Sequence, residues 1–224
     1  MSSFDQYFNK YQSIRMERRN GILQMTFHTD NGPLKWGGVP HTEFSQVFVD
    51  VGNDPENRII IMTGTGDAFT GPQGTAAGTP KRSPKEWDQT YWEGKRILTS
   101  LLEVEVPMIS AINGPALRHS EIPLLCDIVL ASDTAAFQDS GHFMSGLVPG
   151  DGMHIVYPLL LGLNRGRYFL LTGQRIEADE AKNLGLVNEV MPQVDLLPRA
   201  WELAEQMAKQ SDIVLRYSRV AMTL

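Results

Sequence analysis

The chain has 224 residues and a mass of 25.0 kDa, with 42% apolar and 21% charged residues. That is enough for one large or two small domains with a sizeable core, and it excludes a disordered, collagenous or low-complexity chain. Twenty-six acidic against 20 basic groups give a net charge of −6 and a pI near 5.4, which argues against nucleic acid or anionic lipid as partners. The lone Cys126 excludes an internal disulfide and a multi-cysteine zinc site, and reads as a small buried residue in a reducing compartment.

The start, MSSFDQYFNKYQ, lacks a basic patch followed by an apolar segment, so no secretory or transit signal is visible and a cytoplasmic location is expected. From Ile14 to Phe27 two alternating runs flank Arg19-Asn20-Gly21, where Asn-Gly predicts a tight hairpin turn. A glycine-rich passage then leads to Thr42, whose hydroxyl is expected to cap a helix over Glu43 to Val51 that buries Phe44, Val47, Phe48 and Val51. Arg58 to Gly64 (RIIIMTG) reads as a strand covered on both sides. Ser83 or Pro84 begins a helix running to about Leu102.

Further buried-strand runs are Pro107 to Asn113, Cys126 to Ser132 and Ala135 to Gln138, with a turn and short helix between Gly114 and Leu125. After Asp151 the pattern becomes helical: Gly152 to Leu161, Arg165 to Leu171, Glu177 to Leu184 and Leu196 to Lys209. The most apolar stretch, Ile155 to Leu163, is about half the length of a membrane span and contains a proline. The expected architecture is a single α/β domain over residues 1–224, a β-β-α core over 1–151 followed by a helical part over 152–224.

The sharpest chemical feature is Gly141 to Gly152, where His142 and Asp151 flank a segment that two glycines and a proline allow to fold back. A carboxylate on one imidazole nitrogen fixes the tautomer and stabilises the cation formed when the other nitrogen takes a proton, which is how such a pair activates water. The plainer alternative is a loop histidine with Asp151 capping the next helix. A Ser-His-Asp triad using Ser140 or Ser145 lacks the G-x-S-x-G setting, and His142, Asp151 and His154 lack the spacing of a metal-ligand motif. His119 follows a strand at a turn where ligand-facing groups occur, either as a carbonyl donor or as an ordinary turn histidine. His28 and His41 have even less support, and the glycines from Gly64 to Gly74 lack both phosphate-loop spacings.

Four segments carry a resemblance to the crotonase (enoyl-CoA hydratase/isomerase) superfamily across nearly the whole chain: Arg58 to Gly71, Val106 to Ala116, Gly146 to Gly152, and Leu171 to Val187. The resemblance implies a spiral of repeated β-β-α units with a helix-rich C-terminal part; the terminal helices that build the family's trimer contact and cover its site are expected to be absent from this sequence, which stops at Thr223-Leu224. Departures from the family pattern bear on function. Arg118-His119-Ser120 replaces consecutive glycines, Pro72 stands where the first loop has a glycine and can donate no N–H, and His142 occupies the acid/base glutamate position while Asp151 fills an apolar slot.

These changes resemble the 6-oxocamphor hydrolase branch of β-diketone hydrolases, whose motifs match Pro115 to Glu121, Phe137 to His142, Gly146 to Gly152 and Leu163 to Leu170. That likeness implies cofactor-independent, metal-free retro-Claisen hydrolysis of a non-enolisable cyclic 1,3-diketone. His142 and Asp151 would activate water, His119 would stabilise the enolate, and Trp36, Phe69 and Glu121 would contact substrate. Trp36 is equally readable as a packing residue, and Glu121 as a supporting or a surface group. A homotrimer or dimer of trimers is the expected assembly. The alternatives are CoA-thioester hydratase or hydrolase chemistry, or a non-catalytic small-molecule binder.

Overall fold

The computed structural model describes residues 3–71 and 83–223, so Pro72, and with it the argument about the first loop's missing donor, lies outside the described residues. After a short α1 (Phe4–Tyr7), β1 (Ile14–Arg19) and β2 (Ile22–Phe27) form the expected hairpin. Asn20 and Gly21 both take left-handed backbone, φ +53° and +79°, as a type I′ turn demands. Next come α2 (Gly38–Gly52), β3 (Ile59–Gly64), α3 (Pro84–Leu102), β4 (Met108–Ile112), α4 (Glu121–Leu124), β5 (Ile128–Ser132) and β6 (Ala136–Phe137). The remainder is α5 (Met153–Leu161), α6 (Leu163–Thr172), β7 (Ile176–Glu177), α7 (Ala178–Asn183), β8 (Glu189–Met191), α8 (Gln193–Met207) and α9 (Asp212–Thr223).

The main sheet has the order β1-β2-β3-β4-β5-β8, antiparallel at β1-β2 and parallel from there on. Its two faces explain the continuous apolar run in β3. Ile60 and Met62 join Phe44 and Phe48 of α2 and Ile97 and Leu101 of α3 on one side. Ile59 and Ile61 meet Leu196, Ala200 and Ala204 of α8 on the other.

A second, narrower stack organises the site. Leu34, Thr70, Ala116 and Phe137 form successive parallel bridges, and β6 continues the stack into β7. After each of β2, β3, β4 and β5 the chain therefore takes one short step in this second layer, so distant stretches begin their next turns side by side.

Several boundaries differ from the sequence reading. α2 starts at Gly38 rather than Glu43, with Pro40 in its first turn, where a missing N–H costs no intrahelical bond. Thr42 is no cap; its hydroxyl donates to Glu93 Oε1 on α3 at 2.8 Å. Ser83 does cap α3, in a reciprocal capping box with Glu86. The short strands β7 and β8 and the helix α9 were not anticipated. No helix among the described residues is long and apolar enough to cross a membrane.

α9 is locked in place by Arg219, which is 1% exposed. Its guanidinium donates to the carbonyls of Val104 at 2.6 Å and Leu101 at 3.2 Å and pairs with Asp127, whose other oxygen accepts the Met108 N–H at 2.7 Å. Truncation strands a carboxylate and two carbonyls. Arg219→Ala is expected to lower the unfolding free energy by about 3 to 5 kcal/mol, read as a lower urea midpoint at unchanged slope.

Candidate functional site

The second stack delivers three histidines to one place: His41 in the first turn of α2, His119 beyond Ala116 and His142 beyond Phe137. Each is gripped at Nδ1 by a carboxylate. The pairs are His41 to Glu93 Oε2 at 2.9 Å, His119 to Glu121 Oε1 at 2.8 Å, and His142 to Asp139 Oδ1 at 2.8 Å. A carboxylate on one ring nitrogen fixes the ring plane and leaves the other nitrogen for chemistry.

The free sides of His119 and His142 converge on Asp151. Its Oδ2 lies 3.4 Å from His142 Nε2 and 3.7 Å from His119 Nε2. His41 closes the group, with its ring centroid 5.8 Å from that of His119. Space for the Asp151 carboxylate comes from Gly94 on α3, where a Cβ would fall 2.5 Å from Asp151 Oδ1. His119 and Asp151 both sit in left-handed backbone, at φ +50° and +47°, a conformation that costs non-glycine residues about 1 to 2 kcal/mol and so has to be held by its surroundings.

The structure thus brings together His142, Asp151 and His119, and it reassigns their partners. The carboxylate that orients His142 at Nδ1 is Asp139; Asp151 faces the opposite nitrogen. Asp151 does not cap α5, whose N-cap is Gly152. Glu121 is fully buried beneath His119 rather than at the surface, so it supports an imidazole and makes no contact with solvent. Trp36 stacks on His119 with ring centroids 3.9 Å apart and also packs against Phe44, which joins the pocket-wall and packing readings. Phe69 is a correction: its side chain is wholly buried against Phe27 and cannot line a substrate pocket.

Sequence reasoning did not single out Asp139 or Glu93, and it gave His41 less support than His119. Asp139 carried a signal, since it stands three residues before His142 in Phe137-Gln138-Asp139, whereas His41 and Glu93 are 52 positions apart and meet only through the packing of α2 on α3. Ser140 and Ser145 give their hydroxyl protons to the carbonyls of Leu117 and Ser140, at 2.6 and 3.3 Å, so neither is held by an imidazole. His154 is exposed on α5.

The backbone of the first loop is also committed. The N–H groups of Phe69 and Thr70 donate to Pro115 O at 3.0 and 3.3 Å, and that of Gly71 donates to Leu34 O at 2.7 Å. These three amides are therefore not free to donate to a bound ligand.

Burial opposes charge on His142, but the hydrogen bonds and charges of Asp139 and Asp151 outweigh it and push its pKa up to about 10. Burial alone would raise Asp151, yet the bond from His142 and the charges of the surrounding imidazoles hold it at about 2. His41 is shifted the other way, because burial outweighs the bond to Glu93. Burial likewise lifts Glu121 against the pull of His119. An NMR titration of the His142 ring is expected to show it still protonated at pH 8, with its midpoint near 10. Asp139→Asn should bring that midpoint down, because burial then acts against a weaker opposing charge.

Comparison with known proteins follows the same lines. A β-diketone hydrolase from the cyanobacterium Anabaena sp. PCC 7120, solved with (S)-3-oxocyclohexyl acetic acid bound, is 49% identical and superposes with a TM-score of 0.93 over 97% of this chain and 88% of that one. An enoyl-CoA hydratase from Bacillus anthracis is 25% identical, with a TM-score of 0.83 over 95% and 83% of the two chains. A carnitinyl-CoA dehydratase from Citrobacter koseri is 31% identical over 207 residues, covering 91% of this chain and 77% of the relative. Across residues 17–223 the sequence matches the enoyl-CoA hydratase/isomerase family, to which this crotonase-fold chain therefore belongs.

Proposed function

We propose that the protein hydrolyses a carbon-carbon bond of a cyclic 1,3-diketone by retro-Claisen cleavage, without CoA. The observation that carries this reading is the convergence of His142 Nε2 and His119 Nε2 on Asp151, at the position where the glutamate of CoA-dependent relatives is expected. The compound bound to the Anabaena relative supports it. That compound is a keto acid, and joining its acid carbonyl to the ring carbon on the far side of the ketone from the side chain, with loss of water, gives a bridged bicyclic 1,3-diketone whose central carbon is a bridgehead and cannot enolise.

In the proposed step, water beside His142 Nε2 and Asp151 gives a proton to the imidazole, and its oxygen bonds to one carbonyl carbon. The bond from that carbon to the central carbon breaks. Its electron pair moves onto the second carbonyl as an enolate, stabilised from the Nε2 side of His119, which Glu121 backs. The proton on His142 then passes to the central carbon. Diketone plus water gives keto acid, with no redox change and no leaving group to dispose of.

The names of the CoA-dependent relatives favour a second reading, thioester chemistry. Incubation with a bicyclic 1,3-diketone separates the two. Loss of the diketone with appearance of a carboxylic acid is expected from the wild type, and His142→Ala should reduce kcat by roughly 100-fold or more. Absence of turnover together with tight CoA binding by calorimetry would transfer the protein to the second reading.

The pH profile tests the base directly. His142 must lose its proton before it can accept one from water. kcat/KM is therefore expected to climb about tenfold per pH unit through neutrality and level off near pH 10. In Asp139→Asn the rising limb should move to lower pH, and the plateau should fall at least tenfold because the ring loses the partner that selects its tautomer.

A further inference from the structure

We propose that His41, His119 and Asp151 form a binding site for a divalent transition metal of the zinc type, and that the metal competes with substrate. One ligand atom from each of these residues lies within 4.8 Å of the others. They stand at 41, 119 and 151, so no linear motif announces them.

Three independent features point to a ligand. His41 is only 7% exposed, and its Nε2 has no hydrogen-bond partner among the described residues, although Nδ1 is taken by Glu93. A buried imidazole nitrogen without a partner forfeits its hydration, and a cation would restore the lost interaction. The outer partners form the second feature. Both histidines give Nδ1 to a carboxylate, Glu93 in one case and Glu121 in the other, which is the carboxylate–histidine–metal arrangement that turns the lone pair of Nε2 toward an ion. The third is composition, since two imidazoles and one carboxylate suit zinc and leave a coordination position open.

The distances fit after a small adjustment. Zinc bonds of about 2.0 to 2.2 Å place tetrahedral ligand atoms roughly 3.4 Å apart. His119 Nε2 and Asp151 Oδ2 are already 3.7 Å apart. The separations from His41, none above 4.8 Å, close by small movements of the three side chains, and the Asp151 carboxylate has to turn from His142 to join them. Turning toward the metal takes Asp151 from His142, and the ion fills the space proposed for water and the second carbonyl. Metal binding stands apart from the hydrolase reading; its inhibitory consequence rests on that reading.

The test titrates the metal-stripped full chain with Zn²⁺ by calorimetry and with Co²⁺ by visible absorption. One Zn²⁺ per chain is expected, weakened at least tenfold in His41→Ala, His41→Gln and Asp151→Asn and unchanged in His154→Ala. Co²⁺ should give the intense visible bands of a four- or five-coordinate site in the unaltered protein, so that result needs no variant to fold. No saturable binding, a weak octahedral Co²⁺ spectrum, or binding that survives the His41 and Asp151 changes would overturn the site. In the diketone assay, Zn²⁺ is expected to raise KM and a chelator to restore it; zinc binding without that effect would overturn the competition. A protein that binds zinc but cleaves no diketone would refute the hydrolase reading and leave the metal site standing.

Discussion

The pairing of buried carboxylates with imidazoles governs this structure. Transferring an isolated carboxylate from water into a protein interior costs several kcal/mol even after relaxation, and a single well-placed donor recovers much of that. Glu121 has no exposed surface and Asp139 has 3%. Each is tolerable there because an imidazole nitrogen meets one of its oxygens at 2.8 Å. The same contact forbids the ring from turning. Stability and orientation are consequently one interaction, repeated at Glu93, and the three free ring nitrogens are left to face a common space occupied by Asp151.

The spiral makes such repetition possible. Because β2, β3, β4 and β5 are each followed by a step in the narrow stack through Leu34, Thr70, Ala116 and Phe137, the turns that come next are neighbours in space although they are far apart in sequence. The helices add rigidity behind them. Glu93 on α3 accepts from Thr42 and Gln89 as well as contacting His41, so one carboxylate ties α2 to α3 and fixes a ring at the same time. Gly94, its neighbour, supplies the room that the Asp151 carboxylate occupies.

What the sequence disclosed follows from the range of the interactions involved. The Asn20-Gly21 turn and the start of α3 at Ser83 or Pro84 are decided by neighbours within a few residues, and the unbroken apolar run of β3 announces cover on both faces although the covering helices are distant in sequence; each was legible. α2 was placed late because Gly37, Gly38 and Pro40 carry the composition of a loop although they form a helix start. α9 escaped because its buried face holds Leu215 and Arg219, and an arginine breaks the apolar stripe that marks a helix. His142, Asp151 and His119 were found through motif positions. Of their partners, Glu121 stands two residues from His119 and was read as a possible support, Asp139 stands three residues from His142 and was close enough to be read, and Phe69 was misjudged because an aromatic residue beside a loop gives no sign of which side it faces.

One tension follows from the charges. Asp139 and Asp151 hold His142 as a cation, and that pairing stabilises the folded segment from 139 to 151, whose middle from Phe143 to Val148 is exposed and adds little burial of its own. An unfolded histidine titrates near about 6.5, so this stabilisation is complete below that pH and is lost as the pH rises toward about 10. On the acid side Asp151 contributes above the ordinary aspartate range and stops contributing as the pH falls through about 2. A base, however, is useful only after its proton has gone. In the proposed reaction, the proton that secures the loop is thus the one that blocks attack by water. The two carboxylates set how much stability is surrendered for reactivity, because any change that lowers the affinity of His142 for its proton frees the base and loosens the segment that carries it.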